Sequence, residues 1–206
     1  MKTQYLKISP ICPQAERIRL VVETLKAGGL VVLPTETVYG IGFDPDSPVA
    51  RDKITRVKSQ RDNKPYSWNL PDIDWLDNFN IRQDCLQRLK LIGNLLPGPI
   101  TFIMCDHNGN KLGFRIPANS ICRKIIQKFS KPIYLPSANP SNLRPACSAQ
   151  EAMDMLWGEV DMIVDGGPSQ MCLPSAVVDL TQSQVQLLRS GPPFVTAEIL
   201  RRINRW

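Results

Sequence analysis

Residues 30–42 read LVVLPTETVYGIG. The opening LVVL is a continuous apolar run, the pattern of a short strand covered on both faces. Directly behind it stand Thr35, Glu36, Thr37 and Tyr39, held between Pro34 and Gly40. In open α/β sheets ligands are commonly held just beyond strand ends, and glycines there let backbone approach a ligand. A tight, hydroxyl-rich turn with no ligand would use the same residues. The strand is the firm part of this reading.

Working outward, Ala15, Ile18, Val21, Val22 and Leu25 form a helical stripe after Pro13, closed by Gly28-Gly29. Ser47-Pro48 supplies an N-cap and first-turn proline for a helix running to about Lys58. A second amphipathic helix is predicted over 81–95, with Ile81, Cys85, Leu89 and Ile92 on one side. ITFIM (100–104) and KLGFRI (111–116) flank an HNGN turn and read as two strands of one sheet. SICRKIIQKF (120–129) reads as a helix and PIYL (132–135) as a strand. Ser148 and Glu151 have capping-box spacing for a helix ending at Trp157-Gly158. VDMIVD, SAVVDL and QVQLLR add three strands, and Thr196 is the expected cap of a last helix. The expectation is one α/β domain over 1–206, with a mixed, twisted sheet flanked by helices.

Composition narrows the chemistry. The net charge of +6 over 206 residues favours an anionic partner such as nucleotide, RNA or phosphate. No apolar run is long enough to span a bilayer and the N-terminus lacks a signal-peptide stretch, so a cytoplasmic protein with no membrane partner is expected. The one histidine, His107, lies in the HNGN turn, which disfavours His-rich metal sites and a Ser-His or Cys-His pair. Six scattered cysteines form no CxxC pair and read as reduced thiols packed as small hydrophobes. Neither GxxxxGK[ST] nor a helix-opening GxGxxG occurs.

Two further clusters carry polar chemistry. RVKSQRDNKP (56–65) is either a solvated basic helix end or a phosphate clamp. LPSANPSN (135–142), followed by Arg144, offers hydroxyl and amide groups suited to ribose, phosphate or amino-acid recognition; as a plain Ser/Asn/Pro loop it would need no ligand.

PTETVYGIG, the K-x-x-R-x-x-K-P segment at 58–65, LPGPITF (96–102), FRIP (114–117), PSAN (136–139), DGG (165–167), PSAVVD (174–179) and LLRSG (187–191) occur in one order. In these motifs the chain resembles the YrdC-like threonylcarbamoyl-AMP synthase family, from about residue 5 to residue 195, in its short form without the extra C-terminal domain of longer members. The resemblance implies condensation of L-threonine, bicarbonate and ATP to threonylcarbamoyl-AMP and pyrophosphate, with Mg2+ accompanying ATP. It also implies tRNA or tRNA-modification proteins as partners of the later transfer step. Such a reaction needs positioning and electrostatics rather than a protein nucleophile, so no catalytic residue is assigned. By the same resemblance Thr35, Asn69, Arg115 and Ser175 hold threonine, while Lys58, Arg61, Ser137, Asn139, Arg144 and Arg189 hold ATP.

The chain also departs from the pattern. Counting back from Lys64-Pro65 places Gln60 where the family has an arginine, with Arg61 one residue later. Leu96 stands for a usual tryptophan, Ala176 for a threonine, and Tyr66-Ser67-Trp68 for an aliphatic strand. A non-catalytic or altered-activity paralogue binding nucleotide or RNA is therefore the alternative. With aromatic content of 7%, no stacking platform for single strands is evident.

Overall fold

The computed structural model describes residues 2–59 and 65–204. In chain order they form β1 (Gln4–Lys7), α1 (Ala15–Lys26), β2 (Val31–Leu33), β3 (Gly40–Gly42), α2 (Pro48–Val57) and β4 (Trp68–Asn69). A 3-10 turn at Ile73–Phe79 leads to α3 (Gln83–Leu89), and another at Gly93–Leu95 to β5 (Ile100–Cys105) and β6 (Lys111–Arg115). Then come α4 (Ser120–Phe129), β7 (Ile133–Tyr134), α5 (Ala149–Leu156), β8 (Met162–Asp165), β9 (Ala176–Asp179), β10 (Gln186–Arg189) and α6 (Pro193–Ile203).

The fold is mixed α/β, and the strands divide between two mixed sheets where the sequence suggested one. The first has the order β1-β8-β2-β3, with β8 parallel to both β1 and β2. The apolar alternation in β2 and β8 explains its burial. Val31, Leu33, Met162 and Val164 face a core shared with α1 and α4, while Val32 and Ile163 face one shared with α2 and α5. Both faces are covered, which is why LVVL carries no polar residue. The second sheet has the order β10-β9-β5-β6-β4-β7 and packs on α3 and α6.

The sheets meet where β3 runs against β7. Phe43 and Tyr134 exchange backbone hydrogen bonds of 3.1 Å, and Ile41 N–H donates to the Pro136 carbonyl at 2.7 Å. Gly40 is required here, because a Cβ on it would stand 2.7 Å from the Leu135 side chain and 3.2 Å from the Pro136 carbonyl oxygen. Alongside this seam Phe79, Trp68, Tyr134, Tyr66 and Phe43 pack ring on ring with centroids 4.6–5.6 Å apart. Tyr66 and Trp68, read as departures from an aliphatic strand, belong to this row.

Local signals held where side chains act on their own backbone. Ser47 accepts from Ala50 N–H and Ser148 from Glu151 N–H, as their spacing predicts; Asn119, which the sequence reading did not single out, caps α4. Two expectations need correction. The helix predicted over 81–95 is regular only at Gln83–Leu89, with a 3-10 turn at Gly93–Leu95, so the apolar spacing continues after the α-helical ladder stops. The last helix starts at Pro193, and Thr196 lies inside it, its hydroxyl bonded to the Gly191 backbone. A proline in the first turn replaced the expected cap.

Candidate active site

A cavity of about 270 Å3 opens beside the seam. β2 ends into it through Thr35–Gly40, β4 contributes Asn69, β5 Thr101 and β6 Arg115. The segment after β7 contributes Ser137, and Ser175 and Arg189 enter from the start of β9 and the end of β10. Gly191 makes this convergence fit: a Cβ there would lie 2.3 Å from the Ala176 backbone nitrogen.

Arg115 organises one end. Its Nη2 donates to Glu36 Oε1 at 2.8 Å and to Thr37 Oγ1 at 2.5 Å, with Thr35 Oγ1 at 3.5 Å. The other Glu36 oxygen accepts from Ala118 N–H at 3.1 Å. Both ions are buried, so the pair is desolvated and geometrically fixed. Behind it Cys122 is fully enclosed; burial, and next the Glu36 carboxylate, pushes its thiol pKa up to about 12. The Thr35 hydroxyl donates to the Val38 carbonyl at 2.6 Å, so it braces its own turn.

Arg189 forms the adjoining wall. Nε and Nη2 donate to the Ser175 carbonyl at 3.1 and 2.9 Å, and the Ser175 hydroxyl pairs with Thr101 Oγ1 at 2.9 Å. Desolvation, and then the neighbouring Arg115 charge, lowers the Arg189 pKa. Two guanidiniums line this cavity and Glu36 pairs with Arg115, which leaves the Arg189 charge for a ligand.

Lys58 lies behind Ser137. Its ammonium donates to the carbonyls of Ser137 at 2.7 Å and Asn139 at 2.5 Å, and to Asn139 Oδ1 at 3.1 Å. The Asn139 amide nitrogen in turn donates to Pro140 and Leu143 carbonyls. Thus Thr35, Asn69, Arg115, Ser137, Ser175 and Arg189 meet at the cavity, whereas Lys58 and Asn139 brace the loop behind it. Arg144 is exposed and lies against sulfur, with Nη2 3.2 Å from Cys172 Sγ. Arg61 and Gln60 lie outside the described residues.

Sequence reasoning assigned no role to three residues here. Glu36 stood in the quoted motif, and its signal was an acidic residue beside an apolar strand. Thr101 and Tyr39 carried no such mark. Tyr39 donates to the Gly167 carbonyl at 2.6 Å and so ties the DGG turn to the motif. The cysteine reading also needs correction: Cys147 and Cys172 are joined as a disulfide, because the fold brings their Cα atoms to 5.2 Å. Cys12, Cys85, Cys105 and Cys122 are free.

Fold and cavity together define an α/β protein with a cationic, hydroxyl-lined pocket between two sheets. The Sua5/YciO/YrdC family model, described as telomere recombination, matches residues 23–191, and the chain belongs to that family. Bovine threonylcarbamoyl-AMP synthase is 33% identical over 183 residues, covering 81% of this chain and 64% of that protein. The structure of Pyrococcus abyssi Sua5 complexed with L-threonine superposes with a TM-score of 0.84 at 27% identity, covering 92% of this chain and 58% of that one. The crystal structure of Escherichia coli YciO superposes at 0.81 with 25% identity, covering 92% and 96%. The chain therefore spans less than two-thirds of the bovine and archaeal relatives and nearly all of YciO.

Proposed function

We propose that the protein condenses L-threonine, bicarbonate and ATP to threonylcarbamoyl-AMP and pyrophosphate. The observation that carries this reading is a pair of buried polar atoms. Arg115 Nε, a donor, and Asn69 Oδ1, an acceptor, have no hydrogen-bond partner among the described residues, and both side chains line the one cavity. Orphaned buried polar atoms are rare and call for an explanation. A zwitterion supplies it, with its carboxylate on the Arg115 side and its amino group on Asn69. The P. abyssi relative with L-threonine bound supports that choice.

In the reaction, an oxygen of the threonine carbamate attacks the α-phosphorus of ATP and the bond to pyrophosphate breaks. The attacking group is already an anion, so the protein supplies orientation and positive charge. Thr35, Asn69, Arg115 and Ser175 form the threonine side. Ser137 and Arg189 form the ATP side, with Lys58 and Asn139 behind them and Arg144 and Arg61 carried from sequence. Among the described residues no group of three or more His, Cys, Asp or Glu gathers to hold a metal ion, so Mg2+ would arrive on the ATP phosphates, and no step here runs through it. Transfer to tRNA belongs to a later partner.

The test is incubation with ATP, L-threonine and labelled bicarbonate. Labelled adenylate and pyrophosphate are expected only when all three are present. A second reading, a paralogue that binds nucleotide or RNA without condensing it, is favoured by Gln60 at the family arginine position. ATP binding with no adenylate under any condition selects it.

A further inference from the structure

The disulfide stands at the mouth of the cavity. Pro145 lies two residues before Cys147 and Pro174 two residues after Cys172, and both prolines line the cavity from different segments of its wall. Residues 168–175 have no regular secondary structure. Ser169 N–H donates to the Cys147 carbonyl at 2.7 Å, Ser169 Oγ to the Thr35 carbonyl at 2.9 Å, and Met171 N–H to the Glu36 carbonyl at 3.0 Å. The S–S bond follows directly, then Ser175. One covalent link thus fastens the cavity's threonine-side strap to the segment that carries Arg144.

We propose that Cys147 and Cys172 are a reversible redox site that fastens this strap. Three observations converge. The remaining four cysteines are free, and a single disulfide among otherwise unpaired thiols is the pattern of redox sensing more than of a structural framework. Cys172 is half-buried, within reach of a small reductant. Arg144 Nη2 sits 3.2 Å from Cys172 Sγ and 3.9 Å from Cys147 Sγ, and a guanidinium beside sulfur favours the thiolate, the form that exchanges. A dithiol reductant of the thioredoxin-like class opens the bond: its two thiols give up two electrons and two protons and close to a disulfide, and both cysteines become thiols. A disulfide oxidant of the same class reverses the step. Opening the bond removes the covalent tie on residues 172–174 and leaves the strap held by the hydrogen bonds of Ser169 and Met171 just before them. The consequence for substrate rests on the function proposed above, since Ser175 and Pro174 border the threonine side.

Hydrogen exchange on the full-length chain tests the strap without any ligand. The oxidised protein should yield four alkylatable thiols after denaturation and the dithiol-treated protein six. On reduction the amides of Ser169 and Met171 should exchange about tenfold faster, a local loss of about 1.4 kcal/mol, with α4 unchanged. The double variant C147S/C172S should exchange at the reduced rate whatever the oxidant. Six thiols before reduction, identical exchange in both states, or a double variant matching the oxidised protein each overturn the redox site. L-threonine titrated into both states separates the two ideas: faster exchange on reduction with no threonine bound in either state upholds the redox site and removes the proposed function.

Discussion

One end of the cavity and the loop behind the other end hold their cations in different ways. At one end Arg115 is neutralised by a carboxylate, Glu36, which is itself fixed by a backbone N–H. Behind the other, the Lys58 ammonium donates to oxygens of the 137–139 loop. A buried ion pair fixes geometry before a ligand arrives, and the desolvation of both ions makes either one alone costly. Donation to these oxygens ties the 137–139 loop to the end of α2. The first arrangement suits shape recognition of a small zwitterion; the second fixes the loop that carries Ser137 into the cavity.

That contrast sets the order of the predictions. The largest effect is expected from Arg115→Met, which strands a buried carboxylate and should cost about 3–5 kcal/mol in urea unfolding. The double variant Glu36→Gln/Arg115→Met should recover most of that stability, though not threonine binding. Lys58→Met should weaken ATP binding by about 1.5–3 kcal/mol in calorimetry, the range for hydrogen bonds to a charged group, with threonine affinity unchanged. If threonine affinity falls equally, the two ends do not act separately.

A third, smaller effect sharpens the Arg115 end. If its pocket packs the substrate methyl, serine should lose about 1–3 kcal/mol of discrimination in kcat/KM. Equal values for the two amino acids show that the methyl is not read. A last effect, absent at neutral pH, builds in alkali. Below about pH 8.5, the unperturbed thiol value, Cys122 keeps its proton folded or unfolded, so stability does not depend on it. As pH rises toward the folded value of about 12, only the unfolded chain releases it, and stability falls by at most about 1.4 kcal/mol per pH unit. Cys122→Ala should flatten that slope relative to the parent chain in thermal melts at pH 7 to 11.

What could be read from the sequence follows the range of the interactions involved. Ser47 and Ser148 act within three residues, and LVVL shows its two-sided burial in its own composition. The division into two sheets depends on β3 meeting β7 at Phe43 and Tyr134, a pairing no local pattern marks. At the site, motif order singled out Arg115, Ser175 and Arg189, which do share one cavity. It could not show that the Thr35 hydroxyl is spent on Val38, that Glu36 is the counter-ion, or that Cys172 lies beside Cys147. The counter-ion and the disulfide depend on segments far apart in the chain, whereas the Thr35 bond closes within one turn whose geometry its residue types do not specify.

The parallel pairing of β1 with β8 has a consequence for the newborn chain. Gln4 finds its partner only at Met162, and β2 lies on the other side of the same strand. At roughly 5–20 residues per second of synthesis, β1 waits roughly 10–30 s at the ribosome before its neighbour exists. Through that interval β2 lacks its central partner, and Ser175 and Arg189 are not yet made. The cavity therefore assembles late relative to its first strands, and a nascent chain has no complete cavity until the segment through Arg189 has emerged.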